Sequence, residues 1–224
     1  DLSSIDLMVE ERLRGKPLAY LIGKKGFWKN SFIVTPDVLV PRPETETLVD
    51  AILNENLQDK TLLELGTGSG AISISIAQEN KDCFIFATDI SIKSILVAKQ
   101  NAEKFCCENI IFLNHDWNNE WLFPQVDYLI SNPPYVDKEA TSGKEEGIWH
   151  EPEKALFSKD NGLSDLKLIL SKGKNFLNEN GKVYLEHAPD QYEELNKFAM
   201  ENGYLNFSNL NDLNGDKRVS VYQC

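Results

Sequence analysis

The sequence predicts an α/β fold: a doubly wound, mostly parallel seven-stranded sheet with helices on both faces and an antiparallel C-terminal hairpin. Three observations carry that expectation. From Thr61 onward, short apolar runs alternate with amphipathic stretches at regular spacing, the pattern of repeated strand-helix-strand units. The first run, "TLLEL", leads straight into the glycine turn "GTGSG", and a helical pattern follows. The chain closes on "GYLNFSNL" and "RVSVYQ", two β-rich segments joined by "NDLNGD", which reads as an antiparallel pair on the sheet edge.

Taken in order, Leu2, Ile5, Met8, Val9 and Leu13 recur at near-helical spacing, and Gly15 and Pro17 then stop the helix. Residues 1–25 therefore read as the last helix and linker of an N-terminal helical domain that is mostly missing, and 26–224 as the main domain. Between Gly26 and Val40, the residues Phe27, Trp28, Phe32, Val34, Val38 and Val40 surround Thr35-Pro36-Asp37, which suggests a small β-hairpin or extended arm. In "PRPETE", Pro43 suits a first helical turn, and Glu44 and Glu46 suit the positive end of a helix dipole. A substrate-side contact for Arg42 or Glu44 is the competing reading.

Strands are then expected over 61–65, 83–87, 110–113, 126–131 and 181–187, with the two C-terminal segments making seven. Helices are expected over about 69–79, about 91–105, Ser164 to Leu177 and Gln191 to Glu201.

The 224 residues suffice for one large domain, and 42% hydrophobic with 26% charged residues is ordinary for a globular chain. A net charge of -12, from 23 Lys+Arg against 35 Asp+Glu, opposes binding that depends on neutralising phosphates, so duplex nucleic acid is not the expected partner. Cys83, Cys106, Cys107 and Cys224 form no C-x-x-C pair, which suggests reduced thiols. No apolar run reaches the roughly 18 residues of a membrane span and no leader is visible, so a cytoplasmic monomer without membrane contact is expected.

Four strand ends carry the chemistry. After the first strand, Gly66, Thr67, Gly68, Ser69 and Gly70 let the backbone approach a ligand closely, with Ser69 placed to help cap the next helix. G-x-G-x-G is a weak signal alone, and a purely structural turn is the competing reading. Asp89 ends the second strand, where a carboxylate can accept both hydroxyls of a ribose or, alternatively, cap a helix with Ser91. At the third, Asp116 could accept an adenine amino group and Trp117 could frame the base, unless they make an ordinary polar turn.

The fourth strand ends in "NPPY". A planar –NH2 is a poor nucleophile because its lone pair is delocalised. Two acceptors, the Asn132 side-chain oxygen and a backbone carbonyl at Pro133, can hold both N–H groups so that the nitrogen pyramidalises towards an electrophilic methyl. Pro134 stiffens the loop and Tyr135 can pack against the planar amide. His187 also sits at a strand end, but methyl transfer from a sulfonium needs positioning more than a base.

"LELGTGSG", Asp89, "HDW" and "NPPYV", in this order, resemble the class I S-adenosylmethionine-dependent methyltransferases that act on amino groups, whose sheet is Rossmann-like. "NPPY" alone is shared by DNA adenine, rRNA guanine and protein glutamine methyltransferases. "GKPLAYLIGKKGFWKNSFIVTPDVLVPRPETETLVD", "HEPEKALFSKDNGLSD" and "LNGDKRVSVY" extend the resemblance to the release factor glutamine methyltransferase family, from about residue 12 onward. The related ribosomal-protein methylating branch usually departs from "PRPETE". The resemblance implies that Gly66 to Gly70 wrap the methionine part of S-adenosyl-L-methionine. It places Asp89 at the ribose, Trp117 at the adenine and Asn132 between cofactor and substrate, with Asn132 and the Pro133 carbonyl taking a glutamine amide in a pocket completed by Pro134 and Tyr135. The implied product is N5-methylglutamine in the GGQ motif of class 1 peptide chain release factors. Methylation of adenine N6 or guanine N2 in a nucleic acid, methylation of a ribosomal protein, and a non-catalytic nucleotide-binding module are the alternatives.

Overall fold

The computed structural model describes residues 2–141 and 148–223. Helix α1 (Leu2–Leu13) is followed by the short α2 (Leu18–Ile22), which ends on Gly23 at φ +70°. Strands β1 (Lys24–Phe27) and β2 (Asn30–Ile33) pair antiparallel with Phe27 opposite Asn30. The turn is therefore Trp28-Lys29, with Trp28 at φ +52°. This corrects the expected interruption: Thr35-Pro36-Asp37 lies beyond the hairpin, in an extended strap. Thr35 Oγ1 accepts the Asp37 amide there, so the turn chemistry was real but local.

"PRPETE" does start a helix, through a 3-10 turn at Pro43–Thr45 into α3 (Glu46–Leu53). The alternation after Thr61 gives β3 (Thr61–Leu65), α4 (Ala71–Glu79), β4 (Phe84–Asp89), α5 (Ile92–Lys104), β5 (Ile110–Asn114) and β6 (Val126–Ser131). The short α6 (Glu153–Leu156) and α7 (Ser164–Gly173) come next. The expected helix to Leu177 stops four residues early. A 3-10 turn over Lys174–Phe176 redirects the chain into β7 (Leu177–Glu186), so Phe176 and Leu177 extend the apolar period without extending the helix. α8 (Tyr192–Glu201), β8 (Asn206–Asn211) and β9 (Lys217–Gln223) complete the chain.

The seven-stranded sheet has the order β5-β4-β3-β6-β7-β9-β8. The first five are parallel to one another, and β9 runs antiparallel to both β7 and β8. The chain winds outward from β3 to β5 and then returns to place β6 on the other side of β3. That reversal makes the crevice between the ends of β3 and β6 the place where a ligand can enter.

Both faces are covered. On β3, Leu62 joins a core containing Leu48, Ile52, Ile74 and Tyr184, while Leu63 and Leu65 join Leu166, Ile169, Leu170 and Leu195 on the opposite face. Period two therefore puts Glu64 on the α4 side, where it is 1% exposed. One serine of "AISISIA", odd in so buried a helix, answers it: Ser73 Oγ and Thr67 Oγ1 both donate to Glu64 Oε2. Cys83, Cys106 and Cys107 are free thiols, and Cys224 lies outside the described residues. Among the described residues no helix is long and apolar enough to cross a membrane.

Candidate active site

The glycine turn after β3 is anchored from β4, where the Thr88 carbonyl accepts the Gly66 and Thr67 amides at 2.9 and 2.8 Å. Gly66 and Gly68 line a cavity of about 470 Å³, together with Asp89, Ile90, Ser91, Trp117, Asn132 and Pro134. The size suits a nucleoside-containing ligand. A Cβ on Gly68 would meet nothing within 4 Å and would stand in open space, and one on Gly66 would press the Trp117 ring at 3.2 Å. The other turn residues hold the structure instead. Thr67 points inward to Glu64, and the Ser69 carbonyl accepts Asn101 Nδ2 of α5 at 2.9 Å. Gly70 is itself the N-cap of α4, with no side-chain cap, so Ser69 does not fill the capping role expected of it. Gly70 instead permits close packing, because a Cβ there would lie 2.8 Å from Ile74 Cδ1.

Asp89 takes the structural role read for it beside Ser91 and also lines the cavity. Oδ1 accepts the Ser91 amide and Oδ2 the Gly68 amide, at 2.8 and 2.9 Å. Ser91 then caps α5 by accepting from Ser94. Each carboxylate oxygen keeps a lone pair for a hydroxyl donor in the cavity. Burial raises the Asp89 pKa, and the two amides oppose the shift. Trp117 is held by Nε1 donating to Asp165 Oδ1 at 2.9 Å. Asp116 takes a different path from its neighbour: its Oδ1 accepts the Asn118 backbone and side-chain N–H groups in a local turn, and it is not in the cavity wall.

A second, smaller cavity of about 140 Å³ is lined by Leu39, Arg42, Asn132, Pro133, Tyr135, Val136, Ala155 and Leu156. Asn132 lines both cavities, so it stands at their junction. Its Nδ2 donates to Thr45 Oγ1 at 3.1 Å, which leaves Oδ1 as the acceptor. Tyr135 donates its hydroxyl to Glu186 Oε1 at 3.0 Å. Glu186 is fully buried and its pKa is pushed up to about 7 by desolvation, against the opposing hydroxyls of Thr45 and Tyr135. Pro134 belongs to the larger cavity rather than the smaller one. His187 is buried with both ring nitrogens engaged, by Ala188 O and Ser220 Oγ, and burial lowers its pKa.

Two straps roof the cavities. The Pro36–Leu39 segment is fixed by Tyr20 Oη donating to Val38 O at 2.6 Å and Ser94 Oγ donating to Asp37 O at 3.0 Å. The Pro152–Ala155 segment is tied to it through Glu151, which accepts the Val40 amide at 2.9 Å and pairs with Arg42. Arg42 thus borders the smaller cavity while its charge is already partnered.

Residues 43–162 match the Methyltransferase small domain family. A release factor glutamine methyltransferase from Coxiella burnetii is 38% identical over 223 residues, covering 97% of this chain and 79% of the relative. The chain belongs to the release factor glutamine methyltransferase family. The fold of this family member is shared more widely. A methyltransferase structure from Pyrococcus furiosus superposes with TM-score 0.64 at 19% identity, covering 99% of this chain and 98% of that one. TYW2 from M. jannaschii, solved in complex with AdoMet, superposes with TM-score 0.60 at 16% identity, covering 89% and 84%. In this family member, sequence reasoning missed Thr45, Ile90 and the straps at 36–39 and 152–155. All lie outside the strand ends except Ile90, which follows Asp89 and adds an apolar wall.

Proposed function

We propose that this chain transfers the methyl group of S-adenosyl-L-methionine to the side-chain amide nitrogen of the glutamine in the GGQ motif of class 1 peptide chain release factors. The observation that carries the reading is Asn132: it borders both cavities and donates from Nδ2 to Thr45, which leaves Oδ1 as its acceptor. The larger cavity fits the cofactor, with Asp89 offering two oxygens to the ribose and Trp117 and Ile90 flanking the base. When bound, the cofactor supplies a methyl made electrophilic by its sulfonium.

Asn132 Oδ1 and the Pro133 carbonyl hold the two amide N–H groups, which aligns the nitrogen lone pair with the methyl. The same acceptors stabilise the positive charge that develops on nitrogen. Tyr135, pinned by Glu186, walls the amide, and Pro133 and Pro134 fix the loop before substrate arrives. A general base is not required of the site, because the methylated nitrogen is acidic enough to lose its proton to water.

The test is methylation with a labelled cofactor, offering a class 1 release factor and, separately, duplex DNA and rRNA. Label on the GGQ glutamine alone is expected. Label on nucleic acid with none on the release factor overturns the substrate assignment.

A further inference from the structure

Asn132 can be useful only if its amide faces the right way. Its two ends are nearly the same shape, and turning it over would present Nδ2–H to a substrate that also brings N–H, replacing an attraction with a clash of donors. Thr45 accepts Asn132 Nδ2 at 3.1 Å, but a hydroxyl alone cannot enforce the choice because it also donates. A carboxylate can, since it only accepts. Glu186, at the end of β7, is 0% exposed and lies beside Thr45 on one side and Tyr135 on the other. Tyr135 donates to Oε1 at 3.0 Å, while Oε2 is buried with no hydrogen-bond partner. Thr45 is the neighbouring hydroxyl close enough to act on this carboxylate, opposing the rise of its pKa.

We infer that Glu186 and Thr45 are positioning residues for methyl transfer: the buried carboxylate draws the Thr45 proton, Thr45 Oγ1 must then accept Asn132 Nδ2, and Asn132 Oδ1 is thereby held towards the acceptor cavity. This rests on the reading of Asn132 as the acceptor for the substrate amide. The surroundings leave Glu186 to play that part. Arg218 of β9 is a cation acting on it, but that guanidinium is bonded to Asp212 Oδ2 at 3.2 Å. Glu44, on the same turn as Thr45, adds negative charge, and the Tyr135 phenol is held neutral by burial and by Glu186 itself. No other side chain offers Glu186 a full ionic partner among the described residues. A buried carboxylate without one is costly.

Protonated Glu186 could donate to Thr45 and release the constraint on Asn132. The rate of transfer should therefore rise with pH through the titration of Glu186, with Tyr135, Arg218 and Glu44 as the groups that set where it falls.

The experiment measures kcat, KM for the release factor and cofactor affinity across pH for the wild type, Thr45→Val, Thr45→Ser, Glu186→Gln and Asn132→Ala. Thr45→Val should lower kcat by about a hundredfold, the scale of a misaligned reacting group, with cofactor affinity and melting temperature close to wild type. Thr45→Ser should restore most of the rate, and Glu186→Gln should flatten the rise with pH. Unchanged kcat in Thr45→Val, equal loss in Thr45→Ser and Thr45→Val, or a wild-type pH profile in Glu186→Gln each overturns the relay. Asn132→Ala separates the two claims. If it abolishes transfer while Thr45→Val does not lower kcat, only the relay fails; if it leaves transfer unchanged, the reading of Asn132 fails and the relay with it.

Discussion

Replacing Glu64 by glutamine should change how stability depends on pH, because this carboxylate lies inside the apolar face of β3. It is 1% exposed, accepts Thr67 and Ser73 through Oε2, and has no hydrogen-bond partner at Oε1. Desolvation pushes its pKa from the ordinary 4.5 to about 7, although the hydroxyls of Ser73 and Thr67 oppose the rise. Between those values the folded chain keeps a proton that the unfolded chain has released. Unfolding free energy therefore falls as pH rises through this window, and the whole penalty is present above the folded pKa. At about 1.4 kcal/mol per tenfold change in proton affinity, the shift corresponds to a loss of about 3 kcal/mol. Glutamine keeps the shape and the acceptor oxygen without the charge. Urea unfolding of cofactor-free protein should show Glu64→Gln gaining about 3 kcal/mol on the wild type between about pH 4.5 and about pH 8. Groups common to both proteins cancel in that comparison. An equal difference at the two pH values would refute the claim that burial governs Glu64.

The glycine turn separates binding from folding. Gly68→Ala, at φ +55° with open space around the new Cβ, should weaken S-adenosylhomocysteine binding by at least about tenfold in calorimetry. Gly70→Ala should instead cost about 2 kcal/mol of stability, since its Cβ meets Ile74 and Ala98; the reverse ranking would refute the division of labour in the turn. Arg42→Ala leaves Glu151, whose side chain is 2% exposed, without its ionic partner. With Arg42 itself 35% exposed, the expected loss is about 1–2 kcal/mol in urea unfolding, and an unchanged midpoint would remove the pair as the tie between the straps.

The parallel sheet was legible because strands buried on both faces read as nearly continuous apolar runs, as in 61–65 and 126–131. Short elements were not. The five residues of α2 and the four of α6 are too few to show a period. The hairpin turn was misplaced because Trp28 carries its positive φ without glycine or asparagine, while Thr35-Pro36-Asp37 carries turn chemistry outside the hairpin. At the site, residues on the strand ends of β3, β4 and β6 could be read from sequence because the topology brings those ends together. The straps line the cavities and Thr45 reaches Asn132 from distant segments, held by hydrogen bonds such as Val40 N to Glu151, which no local pattern announces. Asp116 shows the opposite failure: position and chemistry suggested a ligand contact, and Asn118 uses the carboxylate locally.

Asn132 bears most of the proposed chemistry. Wild-type protein and Asn132→Ala should be compared for single-turnover methyl transfer to a release factor, with cofactor affinity measured on the same samples. Loss of transfer by about a hundredfold or more, with cofactor affinity within about threefold, is the expected result. Transfer at the wild-type rate by Asn132→Ala would contradict it.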